Sequence, residues 1–337
     1  MRQSIKLNLI LAAFGAVLLS GCSPTSPTWL NPASPNAAMA SSLFNVVFIV
    51  SVIVFIIVET LLLYSVIRFR HKSTDGMPTQ IHGNTKMEIA WTVAPALVLI
   101  VVFAFTLQTL NTLEDTPANA LKVKVSAHQW WWQIEYPDQG VITANEIHVP
   151  VNQPVSFSLE GNDVIHSFWV PELGGKRDVV PGKVNSTWFR PTKLGTFHGQ
   201  CAEFCGTAHA NMRFTVIVES PEDFNKWVVD QKKDPATATS DLAKQGEQEF
   251  LKGVCIACHT LNGSPTAKGI TGPNLTHIAS RKTFAGGIID LNKDNLKAWL
   301  KDPQAVKPGN LMVGGKTIPN LTDAQISALV EFLSGLK

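Results

Sequence analysis

Hydrophobic residues follow three different patterns along this chain. Two long apolar runs, at residues 43–67 and 89–107, contain few polar side chains. Residues 121–219 instead alternate apolar and polar positions over short runs such as LKVKVSA and MRFTVIVE, separated by Pro and Gly. Beyond residue 241 the chain starts and ends with amphipathic helices. In order, the patterns predict a transmembrane helical hairpin, an all-β sandwich and a helical C-terminal domain.

The two apolar runs are each long enough to cross a membrane, since a helix rises about 1.5 Å per residue and the hydrocarbon core is about 30 Å thick. Arg68, Arg70 and Lys72 follow the first run, and Lys86 precedes the second. Basic residues in a short loop mark the cytoplasmic side of a membrane. We therefore expect everything after about residue 110 to lie outside the cytoplasm.

The N-terminus has the pattern of an export signal. Arg2 and Lys6 precede the apolar run LNLILAAFGAVLL, and small residues follow it, so residues 1–21 are predicted to be a signal peptide. The ending LSGC resembles a bacterial lipobox, which implies cleavage before Cys22 and a lipid on its thiol. An ordinary cleaved signal with a free cysteine is the alternative. Residues 22–40, rich in Pro, Ser, Thr and Ala, predict a flexible linker.

The composition narrows the class of protein further. Lys and Arg number 28 against 26 Asp and Glu, which gives a net charge of +2 with no basic stripe, so no nucleic-acid partner is expected. The hydrophobic content of 45% is high for a soluble protein. The chain is therefore predicted to be a membrane protein with soluble domains.

The loop CAEFCGTAHANM at residues 201–212 concentrates soft metal ligands. It holds two thiols, an imidazole and a thioether, and His166 lies upstream in NDVIHSFWVP. One Cys, two His and a weak axial Met form the ligand set of copper electron-transfer sites. The second thiol suggests two metal ions that share both sulfurs. The alternatives are a disulfide between Cys201 and Cys205, and a core position for Met212.

Four segments carry a specific resemblance. HGNTKMEIAWTVAPALVL, AHQWWWQIEY, DVIHSFWVP and CAEFCGTAHANM occur in this order within residues 40–220 and together resemble subunit II of the haem-copper cytochrome c oxidases. The resemblance implies a cupredoxin domain with a binuclear copper A centre. The copper ligands implied by motif are His166, Cys201, Cys205, His209, Met212 and the backbone carbonyl of Glu203.

The same resemblance implies further roles. The Glu203 carboxylate would hold a magnesium ion at the contact with subunit I, and Trp130 would admit electrons toward copper, although simple strand packing also explains a Trp there. Glu88, in KMEIAW, would take up protons from the cytoplasm for subunit I. Asp163 and Asp178 resemble acids near the donor-docking surface and the subunit interface, or are solvated charges.

The C-terminal segment contains the sequence Cys255-Ile256-Ala257-Cys258-His259, the C-x-x-C-H signature of covalent haem c attachment. Both thiols would bond the haem, and His259 would take the proximal iron position. The alternatives are a chance match or a redox dithiol.

The segment before the haem motif predicts a domain boundary. Ser220 is expected to cap a helix, and the polar run DPATATS after that helix predicts a flexible connector. A boundary between domains is therefore expected near residue 240.

Residues 241–337 resemble class I cytochrome c, because GPNL and PGNLM follow the haem motif in register. Met312 is the only methionine after that motif and is predicted to be the sixth iron ligand; His277 is the alternative. Val313 stands where such families often have Pro. Thr322 and Gln325 predict a capping box at the start of the last helix.

Together these features predict subunit II of a bacterial cytochrome c oxidase with a fused cytochrome c, similar to the caa-type oxidases. Electrons would pass from an external donor, cytochrome c or another respiratory complex, to haem c, copper A and then haem a of subunit I, where oxygen is reduced to water and protons are pumped. Subunit III is a further expected partner. The location would be the plasma membrane, with both metal domains on the periplasmic side.

Two other functions fit parts of the sequence. One is a quinol oxidase subunit of the same fold without copper, and the other is a free-standing membrane-anchored copper and haem electron carrier.

The predicted domains are a signal peptide at 1–21, a flexible linker at 22–40, the hairpin at 41–110, the cupredoxin domain at 121–220, a helix and linker at 221–240, and the cytochrome c domain at 241–337.

Overall fold

The computed structural model describes residues 27–70, 76–77, 80, 82–315 and 321–337. Its first two helices, α1 (Pro35–Arg68) and α2 (Thr85–Glu114), contain the two apolar runs. Both are long and apolar enough to cross a membrane, and the apolar stretch of each is not buried by the rest of the protein. Asn84 caps α2 by accepting from the N–H groups of Lys86 and Met87.

The segment before α1 differs from the predicted flexible linker. The helix begins at Pro35, and Ser34 caps it by accepting from the Ala37 N–H. The Asn36 side chain donates to the Trp188 carbonyl and accepts from the Arg190 N–H. These polar groups are fixed because the edge of the sandwich supplies their partners, so the second half of residues 22–40 is ordered.

The middle of the chain is a sandwich of two five-stranded sheets. One sheet has the order β3-β2-β1-β5-β8 and the other β4-β10-β9-β6-β7. The strands are β1 Leu121–His128, β2 Trp131–Tyr136, β3 Val141–Ala144, β4 Glu146–Pro150, β5 Val155–Gly161, β6 His166–Trp169, β7 Arg177–Val179, β8 Asn185–Phe189, β9 Gly195–Cys201 and β10 Arg213–Glu219. In β1 and β5, buried and more exposed residues alternate, as the sequence pattern predicts.

Aromatic rings fill the space between the sheets. Trp132 is fully buried and makes edge contacts with Phe168 and Phe214, whose rings stack on each other with centroids 4.7 Å apart. Burying each such side chain contributes roughly 1.5–3 kcal/mol of stability. The packed core holds β6, β9 and β10 in place, and the candidate copper ligands lie on β6, at the end of β9 or in the loop between β9 and β10.

Helix α3 (Pro221–Gln231), capped by Ser220 as predicted, leads into the C-terminal domain. Its elements are α4 Asp241–Lys252, α5 Cys255–Cys258, β11 Thr283–Phe284, β12 Ile289–Asp290, α6 Lys293–Lys301, α7 Pro303–Val306 and α8 Asp323–Gly335. The predicted capping box of Thr322 and Gln325 begins α8. Helices α4 and α8 cross closely, since a Cβ on Gly246 would lie 2.0 Å from the Ala328 carbonyl oxygen.

Candidate metal centre and haem cavity

The candidate copper ligands converge at one end of the sandwich. His166 begins β6, Cys201 ends β9, and Met212 directly precedes β10. The copper loop, residues 201–212, turns back on itself, so that the Cys201 N–H donates to the Met212 carbonyl at 2.9 Å. A short 3-10 helix, His209–Asn211, forms its second half. Two neighbouring strands and one loop thus bring distant sequence positions together.

The distances within this cluster suit two metal ions. The sulfurs of Cys201 and Cys205 lie 3.7 Å apart. His166 Nδ1 is 3.8 Å from the Cys201 sulfur, and His209 Nδ1 is 3.5 Å from the Cys205 sulfur. The Met212 sulfur lies 3.8 Å from Cys205, and the Glu203 carbonyl oxygen lies 3.2 Å from Cys201. Two sulfurs at the centre, flanked by two imidazoles, a thioether and a carbonyl, fit a binuclear copper site.

Burial and charge support this use of the cluster. His166, Cys201, Cys205 and Met212 are all buried, and both cysteines are free thiols in this structure. The sulfur–sulfur contact with Cys205 and the contact with His166 lower the pKa of Cys201 despite its burial. A lowered pKa favours the thiolate, which is the form that binds metal. The Glu203 side chain is exposed at the surface of the copper loop.

Asp163 fixes the orientation of a candidate ligand. Its carboxylate accepts from His166 Nε2 at 2.8 Å and from the backbone N–H groups of Val164 and Gln129. Burial opposes ionisation of Asp163, but these hydrogen bonds outweigh it and hold its pKa below the usual range. Because the carboxylate can only accept, His166 carries its proton on Nε2 and presents the Nδ1 lone pair to the sulfurs. This role was not predicted from the sequence.

Trp130 lies between the copper loop and the C-terminal domain. It is 8% exposed, and its indole N–H donates to the Cys205 carbonyl at 3.0 Å. The side chain of Gln129 donates to the same carbonyl at 2.7 Å. Gly206 packs directly on the indole, since a Cβ there would lie 2.9 Å from the Trp130 ring. The backbone of one candidate copper ligand is therefore bonded to the ring of Trp130.

A cavity in the C-terminal domain, here called the haem cavity, contains the C-x-x-C-H motif. Its volume is about 1180 Å³, including the mouth that opens to solvent. Cys255, Cys258 and His259 lie in its wall together with Met312. Trp130 of the cupredoxin domain also lines it. The rest of the wall is largely apolar, with residues such as Phe250, Leu275, Phe284, Leu296, Trp299 and Leu329.

His259 has the tautomer and the charge state that a histidine ligand of haem iron would need. Its Nδ1 lies 2.8 Å from the Pro273 carbonyl, which can only accept, so Nδ1 carries the proton and Nε2 keeps its lone pair. Burial lowers the pKa of His259 and keeps the imidazole neutral. Gly272 packs on the ring, where a Cβ would come within 2.7 Å of His259 Cε1. Gly272 and Pro273 begin the GPNL sequence.

Of the two candidate sixth ligands, only Met312 lies in the cavity wall. The Trp299 indole N–H lies 2.9 Å from the Met312 sulfur. The competing His277 is buried elsewhere, with Nε2 at 3.1 Å from the Lys233 carbonyl. The geometry therefore favours Met312.

The haem cavity also offers a site for negative charge. Arg281 lies in its wall, and its Nη2 donates to the Asn274 carbonyl at 2.6 Å. Its Nε is buried and has no hydrogen-bond partner among the described residues. A buried guanidinium with an unpaired N–H fits a carboxylate, and haem carries two propionates. Together with two thiols and a neutral imidazole, this residue makes the cavity suitable for haem c.

Two predicted residues lie outside these sites. Glu88 is in the first turn of α2, in the membrane hairpin. Cys22 and the predicted signal peptide lie outside the described residues. Sequence reasoning also missed Lys307 and Glu146, which are buried where the two domains meet. Neither residue belongs to a recognisable motif.

Three protein-family models match parts of the chain. "Cytochrome C oxidase subunit II, transmembrane domain" matches residues 28–109, and the corresponding "periplasmic domain" matches residues 140–220. "Cytochrome c" matches residues 243–337. These matches confirm the predicted fold class of a transmembrane hairpin, a cupredoxin domain and a cytochrome c domain. The chain is a membrane protein with two transmembrane helices and a periplasmic copper A domain.

Three relatives match the chain over nearly its whole length. Cytochrome c oxidase subunit 2 of Bacillus subtilis is 39% identical over 98% of this chain and 97% of its own length. The subunit 2 of Alkalihalophilus pseudofirmus is 35% identical over 96% of this chain and 95% of its own length. That of Bacillus sp. PS3 is 39% identical over 97% of both chains. The chain therefore belongs to the cytochrome c oxidase subunit II family, as a member that carries a C-terminal cytochrome c domain and transfers electrons within a terminal oxidase.

Proposed function

We propose that this chain accepts electrons from an external donor at its cytochrome c domain and passes them through its copper A site to haem a of subunit I. There oxygen is reduced to water, coupled to proton pumping. The observation that carries this order of transfer is the position of Trp130. Trp130 lines the haem cavity and its indole donates to the carbonyl of Cys205, so one residue borders both sites.

When bound, haem c and copper A each supply a centre that gains and loses one electron. Cys255, Cys258, His259 and Met312 would hold the haem. Copper would be held by His166, Cys201, Cys205, His209, Met212 and the Glu203 carbonyl. The chain fixes these groups in advance: Asp163 orients His166, and the Pro273 carbonyl orients His259. Buried and oriented donors need little rearrangement when the charge of the site changes.

The partner side of the copper site is proposed to be subunit I. Glu203 and Phe204 are exposed on the copper loop, and Phe204 is 75% exposed. An exposed carboxylate beside the copper site suits a magnesium ion shared with that subunit, because magnesium prefers oxygen ligands. The apolar faces of α1 and α2 would pack against membrane helices of subunit I, with subunit III completing the complex. Glu88 would admit protons from the cytoplasmic side, and Cys22 would carry a lipid.

Replacing a bridging cysteine tests the order of transfer. In the purified oxidase complex, Cys205→Ser should abolish the copper spectrum, leave haem c reducible by the donor, and reduce oxygen consumption to background. The control is His198→Ala, since His198 is an exposed histidine of β9 outside the ligand cluster. Unchanged oxygen consumption by Cys205→Ser would show that electrons bypass the copper site.

Purification distinguishes the oxidase subunit from a free-standing electron carrier. After gentle detergent extraction, the wild-type chain and Cys205→Ser should both copurify with a large membrane subunit that contains haem a. A chain that always runs alone would contradict the proposed route to subunit I.

A further inference from the structure

Lys307 crosses the boundary between the cytochrome c domain and the cupredoxin domain. It is 2% exposed, and its Nζ donates to the Trp130 carbonyl at 2.6 Å and to the Ala285 carbonyl at 3.0 Å. Ala285 belongs to the same domain as Lys307, whereas Trp130 belongs to the cupredoxin domain. Burying an amine is costly unless its hydrogen bonds are satisfied. Docking of the two domains supplies one of its two acceptors.

Glu146 makes the reciprocal contact from the cupredoxin domain. It is 2% exposed, and its Oε1 accepts from the backbone N–H groups of Lys282 and Thr283 at 2.8 and 2.9 Å. The Arg213 N–H donates to the Gly286 carbonyl beside this contact, at 2.8 Å. Each domain thus contributes one buried side chain that binds backbone atoms of the other.

The cytochrome c and cupredoxin domains also pack closely at this boundary. A Cβ on Gly286 would lie 3.2 Å from the Trp130 carbonyl and 2.8 Å from the Asn211 carbonyl. A Cβ on Gly309 would lie 2.6 Å from the Thr207 side chain of the copper loop. Both glycines also have positive φ values. The two domains therefore meet through backbone segments that leave little room for other relative positions.

Lys307 is also linked to the candidate iron ligand. The Asn310 side chain donates to the Lys307 carbonyl at 2.6 Å and accepts from the Met312 N–H at 2.8 Å. A series of hydrogen bonds thus connects the two domains. The Cys205 carbonyl accepts from the Trp130 indole, and the Trp130 carbonyl is linked through Lys307 and Asn310 to Met312. The segment that carries Met312 is thereby fixed relative to the copper loop.

We propose that Lys307 is a positioning residue that keeps the haem-binding face of the cytochrome c domain docked against Trp130. Glu146 stabilises the same docked arrangement from the cupredoxin domain. This proposal rests on the proposed function, because positioning matters only if electrons cross at Trp130. Lys307→Met would leave the carbonyls of Trp130 and Ala285 without their donor. The domains would then separate more often, and the productive arrangement would be less populated.

The test uses the full-length chain in detergent and compares Lys307→Met with Lys301→Met. Lys301 is a largely exposed lysine of the same domain, 3.4 Å from Asp323. Hydrogen exchange at the Thr283 and Arg213 amides reports docking without requiring metal or haem. Flash-induced electron transfer from haem c to copper reports function. Lys307→Met should raise the exchange rate and slow the transfer by about tenfold each, whereas Lys301→Met should match wild type.

Two further variants distinguish a loss of docking from misfolding of the Lys307→Met protein. Glu146→Ala removes the contact from the other side of the interface and should slow the transfer and raise the exchange rate at the Arg213 amide. The Thr283 amide does not report docking in this variant, because its acceptor is Glu146 itself. Lys307→Gln keeps an N–H donor and should fall between wild type and Lys307→Met, while the haem spectrum and potential stay unchanged in every variant. Unchanged exchange, or faster exchange with normal transfer, in Lys307→Met and Glu146→Ala would overturn the proposal. If the wild-type chain shows protected amides but no transfer from haem to copper, the proposed function fails and Lys307 is only a docking residue.

Discussion

The indole N–H of Trp130 donates to the carbonyl of Cys205 at 3.0 Å, and Trp130 also lines the haem cavity. A single residue thus contacts the backbone of a proposed copper ligand and borders the space proposed for haem c. This relationship connects two sites that belong to different domains. It also explains why the residue is buried rather than displayed on the surface.

Trp130→Phe should slow electron transfer from haem c to copper by about tenfold, because it keeps an aromatic ring but removes the hydrogen bond to Cys205. Time-resolved absorption of the purified oxidase measures the rate. Trp188→Phe is a matched control, since the Trp188 indole donates to the Leu113 carbonyl at 2.9 Å, away from both sites. Equal rates in the two variants would contradict a role for Trp130 in transfer.

Asp163→Ala should weaken copper binding by about 10–100-fold, the usual effect of removing the carboxylate that orients a metal-bound histidine. The reason is that His166 Nε2 would lose its acceptor and the imidazole could rotate. Competition with a copper chelator measures the affinity. Asp178→Ala serves as control because Asp178 is exposed on β7. Similar copper affinity in the two variants would show that Asp163 does not position His166.

Met312→Ala should lower the reduction potential of haem c without releasing the haem, because a thioether ligand raises the potential and the attachment is through the cysteines. His277→Ala should leave the potential unchanged, since His277 contacts the Lys233 carbonyl outside the cavity. Potentiometric titration of both variants gives the values. A shift in His277→Ala alone would assign the sixth ligand to His277.

Docking of the cytochrome c domain should depend on pH through Lys307. Burial lowers the pKa of Lys307 to about 7 from its usual 10.5, and the Cys205 charge acts in the opposite direction. Between these two values the docked form binds fewer protons than the separated form, so docking strengthens as pH rises through this window and weakens as pH falls toward about 7.

The ratio of amide protection in wild type to that in Lys307→Met isolates this effect, because the intrinsic pH dependence of exchange cancels. We expect the ratio at the Thr283 amide to rise with pH across the window and to level off below it. A ratio that is flat, or that falls with rising pH, would show that Lys307 does not titrate with docking.

Alternation along the sequence predicted the sandwich but not where strands change sheet. VITANEIHVP has the pattern of one strand, yet it forms β3 in one sheet and β4 in the other. The break is at Asn145, which has a φ of 60° and accepts the Trp132 N–H on its side chain. Asn tolerates this conformation, but the alternating pattern on both sides of it is uninterrupted.

The candidate ligands could be predicted because they lie within short motifs. Five of the six candidate copper ligands come from the loop 201–212, and the haem ligands include C-x-x-C-H. Lys307 and Glu146 could not be predicted, because their partners across the domain boundary are backbone atoms more than a hundred positions away along the chain. Such contacts depend on how two domains meet, which no local pattern records.

The proposed function requires that one chain hold both a binuclear copper site and a covalent haem. This requirement is tested by metal analysis and haem quantification on the full-length chain, purified with its oxidase, together with paramagnetic resonance of the copper. We predict two copper ions bound by this chain, sharing one unpaired electron, and one covalently attached haem. A single copper ion with an ordinary mononuclear signal, no copper, or a haem that is removed by acid and organic solvent would refute the proposed function.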